Sequence, residues 1–293
     1  MNRRTFIGTS IAAAVAASRP AWSAETHHID HIGLQLYTVR DLIKKDMDGT
    51  IAKVAQVGYK EVEFAGYYGR SPQEVRAILE KDGLTSPSTH VGYDIVENKW
   101  SETLDAAHTI GHSFIVCPWI DVRQRNPEGW KRAAELFNRA GEASQKAGIQ
   151  FAYHNHAFEF ESSEGLGNKL PYDFLLAETD PKLVKMEMDL CWITVGNADP
   201  LTYFDRYPGR FPLVHVKDWS TKGTAGHGYD GAVGSHSKPG HLTDVGQGEI
   251  DWKRIFARAD KAGIQHYFVE NDEPKSAFDD IKVSYDYLAK LTV

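Results

Sequence analysis

Short apolar runs that read as β-strands alternate with helix-like segments eight times along this chain, which restricts it to few architectures. The runs are 32–38, 61–65, 84–91, 113–119, 150–156, 183–190, 213–219 and 265–271. Between them lie helical patterns at 50–57, from 72 to just before Gly83, 99–110, 128–147, 171–178, from Pro200 onward, and 276–291. Punctuation fits the pattern. Ser71-Pro72 reads as an N-cap followed by proline in the first helical turn, and Gly58, Gly83 and Gly148 stop helices. Eight such units in about 260 residues is the count of a single (β/α)8 TIM barrel. A doubly wound open sheet would carry a glycine-rich phosphate loop after its first strand. Here Tyr37-Thr38-Val39-Arg40 follows instead.

Residues 1–24 stand apart from this pattern. Asn2-Arg3-Arg4-Thr5-Phe6-Ile7 has the form of a twin-arginine export signal, followed by a short apolar stretch at 11–17 and the small-residue site Ala21-Trp22-Ser23-Ala24. The expectation is a signal peptide at 1–24, one barrel domain at 25–293, and a periplasmic location reached by the twin-arginine route. Residues 1–24 hold three arginines and no acid, so their removal leaves 30 basic against 40 acidic residues. That balance argues against nucleic acid and anionic membranes as partners. No stretch is long and apolar enough to read as a membrane span. Homo-oligomerisation is left open. Cys117 and Cys191 each sit in an apolar run and read as buried free thiols rather than a disulfide.

Four of the later strand runs end on metal-type ligands: Tyr153-His154-Asn155-His156, Glu187-Met188-Asp189, Val214-His215-Val216-Lys217-Asp218 and Phe268-Val269-Glu270-Asn271-Asp272. If these strands are parallel neighbours, their ends meet at one face. His154, Asp189, His215 and Glu270 would then hold one divalent cation. Residues two apart on a strand share a face, so His154 goes with His156, Glu187 with Asp189, and His215 with Lys217. Charged side chains pointing into a barrel are costly unless paired or metal-bound. His156, Lys217 and Glu187 are therefore candidate catalytic groups, with His90 a further base candidate. Histidine titrates nearest neutrality. Lys217 would need a lowered pKa to act as a base, and a salt bridge to Glu187 is its structural alternative. Glu63 on strand two reads either as a ligand-binding carboxylate or as a structural one, and Trp119, Trp192 and Tyr37, just past strand ends, either stack on a ligand ring or pack the core or rim.

The segment 220–248 is too long for an ordinary strand-to-helix connection and is rich in glycine and histidine, including His227, His236 and His241. It reads either as a lid over the active face or as a solvated excursion. Gly246-Gln247-Gly248 reads as a turn rather than a phosphate site.

On these strand ends, the mature chain resembles the xylose isomerase-like TIM barrels, the sugar phosphate isomerase/epimerase superfamily. The resemblance implies one divalent ion (Mn, Mg, Zn or Co) held by a Glu, an Asp, a His and a Glu on strands five to eight. Asp189, His215 and Glu270 match three of these, and His154 stands where the strand-five glutamate would be. Members commonly use two metal-bound glutamates to move a proton between opposite faces of the substrate, and His154 removes one of them. The string Tyr-His-Asn-His, with the Glu-x-Asp and His-x-Lys-Asp patterns, looks more like an exported branch near inosose dehydratase and enzymes that open 3-keto-glycosides. The expected chemistry is proton abstraction beside a metal-bound sugar carbonyl followed by elimination, with Glu63 and His90 at sugar hydroxyls and Trp119, Trp192 and Tyr37 stacking on the sugar ring. Isomerisation or epimerisation by reprotonation is the alternative. From other classes, a non-catalytic periplasmic sugar-binding protein has no need of a buried cation, and an endonuclease of this barrel type needs a basic groove.

Overall fold

The computed structural model describes residues 29, 31–163, 165–167, 169–222, 232 and 237–293. The expected export signal at 1–24 and residues 223–231 and 233–236 of the glycine-rich segment, with His227 and His236, lie outside the described residues. Eight parallel strands close into a barrel: β1 (Ile32–Gln35), β2 (Glu61–Phe64), β3 (Thr85–His90), β4 (Phe114–Cys117), β5 (Gln150–His154), β6 (Val184–Asp189), β7 (Leu213–Val216) and, after two short strands outside it, β10 (His266–Val269). Each pairs with its sequence neighbour within the barrel, and β10 closes the ring between β7 and β1. The single (β/α)8 barrel expected from the alternation is the fold.

Local chemistry sets the elements. Ser71 caps the helix Pro72–Asp82 in a capping box with Glu74, and Gly83 ends it with φ 66°. The long helix Pro127–Lys146 buries Trp130, Ala133, Phe137, Ala140 and Gly141, an i, i+3/i+4 stripe that packs on the barrel's outside. The barrel interior is layered by the two-residue period of its strands. Near the N-terminal ends, His266 Nδ1 lies 2.8 Å from Glu61 Oε2. Above that pair sits an apolar layer of Phe114, Val116, Ala152, Leu213 and Phe268. Gly33 admits the Phe268 ring, which a Cβ there would meet at 2.5 Å. Two residues further along the strands, the same faces carry Gln35, Glu63, His154, His215 and Glu270. The change from apolar to ionisable marks the floor of the site.

The strands are shorter than the runs read from the sequence, and at two of them the cause is visible. β1 stops at Gln35 because the Gln35 side chain accepts a hydrogen bond from Tyr37 N and starts a 3-10 turn over Leu36–Val39. The seventh barrel strand stops at Val216. Its continuation, β8 (Asp218–Ser220), leaves the barrel and pairs antiparallel with β9 (His241–Thr243). Buried Asp218 holds this departure in place. Its carboxylate accepts from Trp219 N, Gly246 N, Ile250 N and Trp252 Nε1. The Gly246–Gly248 stretch is thus a turn folded onto Asp218. Cys117 and Cys191 are buried and free. Among the described residues, no helix is long and apolar enough to cross a membrane.

Candidate active site

The C-terminal ends of the strands bring together five carboxyl groups (Glu63, Glu187, Asp189, Glu270, Asp272), three imidazoles (His90, His154, His215) and one ammonium, Lys217. All are buried or nearly so, Asp272 being the most open. His90, His154, Lys217, Glu270 and Asp272 line a cavity of about 710 Å³, and the other four are packed against them.

Asp189 ends β6 and caps the helix Leu190–Val195. Its Oδ1 accepts from Cys191 N and Trp192 N, and Asn155 ties its backbone to β5. This fixes the carboxylate and leaves Oδ2 buried with no hydrogen-bond partner, 3.1 Å from Lys217 Nζ. His154 Nδ1 is 3.1 Å from Glu187 Oε2, and its Nε2 lies 3.9 Å from Asp189 Oδ2. His215 Nε2 is 2.7 Å from Glu63 Oε2, while its Nδ1 lies 2.7 Å from Glu270 Oε2 and 4.0 Å from Asp189 Oδ2. His154 therefore has one ring nitrogen on Glu187 and the other toward Asp189, whereas both His215 nitrogens sit on carboxylates, Glu63 and Glu270, with Nδ1 also facing Asp189.

Lys217 Nζ bridges Glu270 Oε2 at 2.7 Å, Asp189 Oδ2 at 3.1 Å and Asp272 Oδ2 at 2.9 Å. The alternative salt bridge to Glu187 is not formed. Glu187 Oε2 instead sits among His90 Nε2 at 2.6 Å, His154 Nδ1 at 3.1 Å and His215 Nε2 at 3.2 Å. Its Oε1 is buried without a partner. Glu63, expected at a sugar hydroxyl, has both oxygens committed within the protein. Gln35 Nε2 donates to Oε2 at 2.7 Å, beside His215, and Ser88 Oγ donates to Oε1.

Burial opposes the charge on Lys217, but Asp189, Asp272 and Glu270 outweigh it and hold the ammonium well above the usual lysine range. With those three carboxylates around it, Lys217 holds its proton. His215 is likewise carried well above the usual imidazole range, burial being overcome by Glu187 and Glu270. His90 is raised to about 9 against burial by Glu63 and Glu187. His154 goes the other way, lowered by burial and then by His215, His90 and Lys217. His156 is also well below the usual range, from burial and the neighbouring His154. Glu270 stays ionised because Lys217 and His215 overcome its burial, whereas burial pushes Asp272 up to about 6.

His156 sits just past β5 and lines the cavity, with Trp119 at 4.8 Å and Trp192 at 6.1 Å between ring centroids. Its Nδ1 is buried and has no hydrogen-bond partner. Trp119, Trp192 and His90 line the same cavity. The sequence reading passed over Gln35 and Ser88, which orient Glu63, and Asp272, which holds Lys217. The available signal was the strand period: Gln35 is two residues from Gly33, and Asp272 two from Glu270.

A divalent cation fits this donor set. Asp189, His215 and Glu270 offer ligand atoms within 4.8 Å of one another. The tie of His215 to Glu63 and of His154 to Glu187 is the carboxylate–histidine arrangement that orients metal-binding imidazoles. The second cluster, His90, His154, Glu187 and His215, has a Glu187 oxygen at the centre of three imidazole nitrogens, a network that orients rings.

The model of the family described as xylose isomerase-like TIM barrel matches residues 51–290. The chain belongs to that family. An inosose dehydratase from Lacticaseibacillus casei is 24% identical over 249 residues, covering 78% of this chain and 82% of that protein. A solved sugar phosphate isomerase/epimerase from Parabacteroides distasonis is 26% identical, with TM-score 0.72 over 95% of this chain and 98% of that one. A solved IolI protein with a bound zinc atom has TM-score 0.66 over 88% of this xylose isomerase-like barrel and 98% of that chain, at 11% identity, a likeness of fold alone.

Proposed function

We propose that this barrel is a divalent-metal-dependent carbohydrate lyase of the dehydratase or 3-keto-glycoside-opening type. The observation that carries the reading is the meeting of Asp189, His215 and Glu270, with His154, whose Nε2 lies 3.9 Å from Asp189 Oδ2, standing where the resemblance places a second glutamate. The similarity to inosose dehydratases supports the same outcome. The four residues would hold the ion, with His215 and His154 oriented by Glu63 and Glu187. A bound divalent ion supplies Lewis-acid polarisation of a sugar carbonyl, which acidifies the neighbouring C–H.

The protein's own groups account for the proton movements. His156 lines the cavity, its pKa is held well below the usual imidazole range by burial and by His154, and it is the candidate acceptor for the α-proton. The electron pair left on carbon forms the new C=C bond as the β C–O bond breaks. The departing oxygen needs a proton, and charged Lys217, on the cavity lining, is the candidate donor. A two-base shuttle across the sugar would need a second carboxylate on the side of β5, where His154 stands. The likeness to a protein named sugar phosphate isomerase/epimerase supports a second reading, enolisation and reprotonation at the same site.

The test is NMR in D₂O with a 3-keto-glycoside and, separately, a free ketose, beside metal analysis of the purified protein. The expected result is elimination from the glycoside, with metal and activity both lost in Asp189→Asn. Rapid epimerisation of the ketose with the glycoside untouched would favour the second reading.

A further inference from the structure

The cavity is larger than one sugar ring requires. Even at a water's share of about 30 Å³ per heavy atom, a hexose of about a dozen heavy atoms fills roughly half of the 710 Å³. The lining divides by strand of origin. Trp119, His156 and Trp192 follow β4, β5 and β6. Tyr37 and Arg40 follow β1, which lies four places round the ring from β5 and so directly across the barrel.

The β1 side is built and held. Gln35 links floor to rim: its Nε2 donates to Glu63 Oε2, and its Oε1 accepts from Tyr37 N at 3.0 Å. The Arg40 guanidinium lies 4.1 Å from the centre of the Tyr37 ring. It is pinned by donating Nη1 to Tyr37 O at 2.8 Å and Nη2 to Asp272 O at 2.9 Å. Covered on one face, the Tyr37 ring remains 42% exposed on a cavity wall. A large aromatic fixed in the open is a platform for a flat or ring-shaped ligand. The ligand is neutral rather than anionic, because Asp272 and Glu273 line the wall beside Arg40.

We propose that Tyr37 and Arg40 form a second subsite that receives the group attached to the reacting sugar through its glycosidic oxygen, an uncharged aryl aglycone or second sugar ring. This rests on the carbohydrate reading of the floor. It adds that the substrate is a glycoside with a ring on both sides of the scissile oxygen.

The test uses methyl and phenyl glucosides, in both anomers, titrated against the metal-loaded protein by saturation-transfer NMR. These ligands lack a carbonyl and cannot be turned over, so binding is read apart from reaction. The wild type is expected to bind the phenyl glucoside roughly two- to tenfold tighter than the methyl glucoside. Tyr37→Ala should abolish that preference and leave methyl glucoside affinity within about twofold, and Tyr37→Trp should restore it. Equal affinities in the wild type, equal weakening of both ligands in Tyr37→Ala, or no binding of either ligand would overturn the subsite. If the phenyl preference holds while no 3-keto-glycoside undergoes elimination, the subsite stands and the lyase reading falls. Elimination without any phenyl preference would remove the subsite and leave the lyase reading standing.

Discussion

Glu63 shows how a carboxylate can govern a site without touching its ligand. It is fully buried on β2, accepts from Gln35 and Ser88, and holds His215 Nε2 at 2.7 Å. With that nitrogen occupied, Nδ1 is the one turned toward Asp189 and Glu270. Replacing Glu63 with glutamine keeps the shape and removes the charge that fixes the imidazole. The expected effect is a 10- to 100-fold weaker metal affinity, as for other carboxylates that orient a ligating histidine. One ion per chain should still bind at high concentration. Asp189→Asn should lose the site itself. Calorimetric titration with Mn²⁺ separates the two, and an unchanged affinity in Glu63→Gln would detach Glu63 from the metal. The sequence left Glu63 open between a sugar contact and a structural role. Strand periodicity says which face a side chain occupies, and it does not say whether its oxygens are already taken by neighbours on β1, β3 and β7.

At the scale of elements, much was legible because the strands obey a two-residue period and the helices carry their caps. The helix Pro171–Glu178 falls where its pattern placed it, and the strands bearing Asp189, His215 and Glu270 bring them to one floor. What escaped depends on long-range partners. β8 leaves the barrel because Asp218 gathers donors from residues 246–252, which no local pattern reveals. The turn Phe158–Phe160 after β5 escaped similarly. Its Glu159 is fully buried, accepts from Tyr153 OH at 2.5 Å and from His156 N at 2.9 Å, and so fixes the loop that carries His156. Burial pushes Glu159 up to about 7, against Tyr153 and the backbone of His156. The native state therefore holds this proton more tightly than the unfolded chain, whose glutamate titrates near 4.5. Its contribution to stability is present below that value and is lost as pH rises toward 7. Glu159→Gln cannot ionise. Its stability relative to wild type should rise between pH 4.5 and 8 by about 1–3 kcal/mol, read from urea unfolding at several pH values. A difference that stays flat with pH would mean that Glu159 is ionised throughout.

For the whole molecule, the floor is a junction at which β1, β2, β3, β5, β6, β7 and the end of β10 all place polar groups, so an ion bound there ties much of the barrel together. Lys217 already bridges Asp189 and Glu270, which gives the barrel a cation at its centre before any metal arrives. The metal-free protein should accordingly fold. A ligand that binds only the native state adds stability by mass action, about 4 kcal/mol at a free concentration a thousand times its dissociation constant. In a domain of roughly 260 residues each kcal/mol moves the melting temperature by about 2–4 °C. Stripping the metal with a chelator should then lower the midpoint by about 8–16 °C, and re-addition of one of Mn²⁺, Mg²⁺, Zn²⁺ or Co²⁺ should restore it. Asp189→Asn should melt at the same temperature with and without metal, because its lesion lies at the site. A wild-type midpoint indifferent to the chelator and to all four ions would rule out a resident cation on this floor. Lys217 would then be the charge that balances its carboxylates.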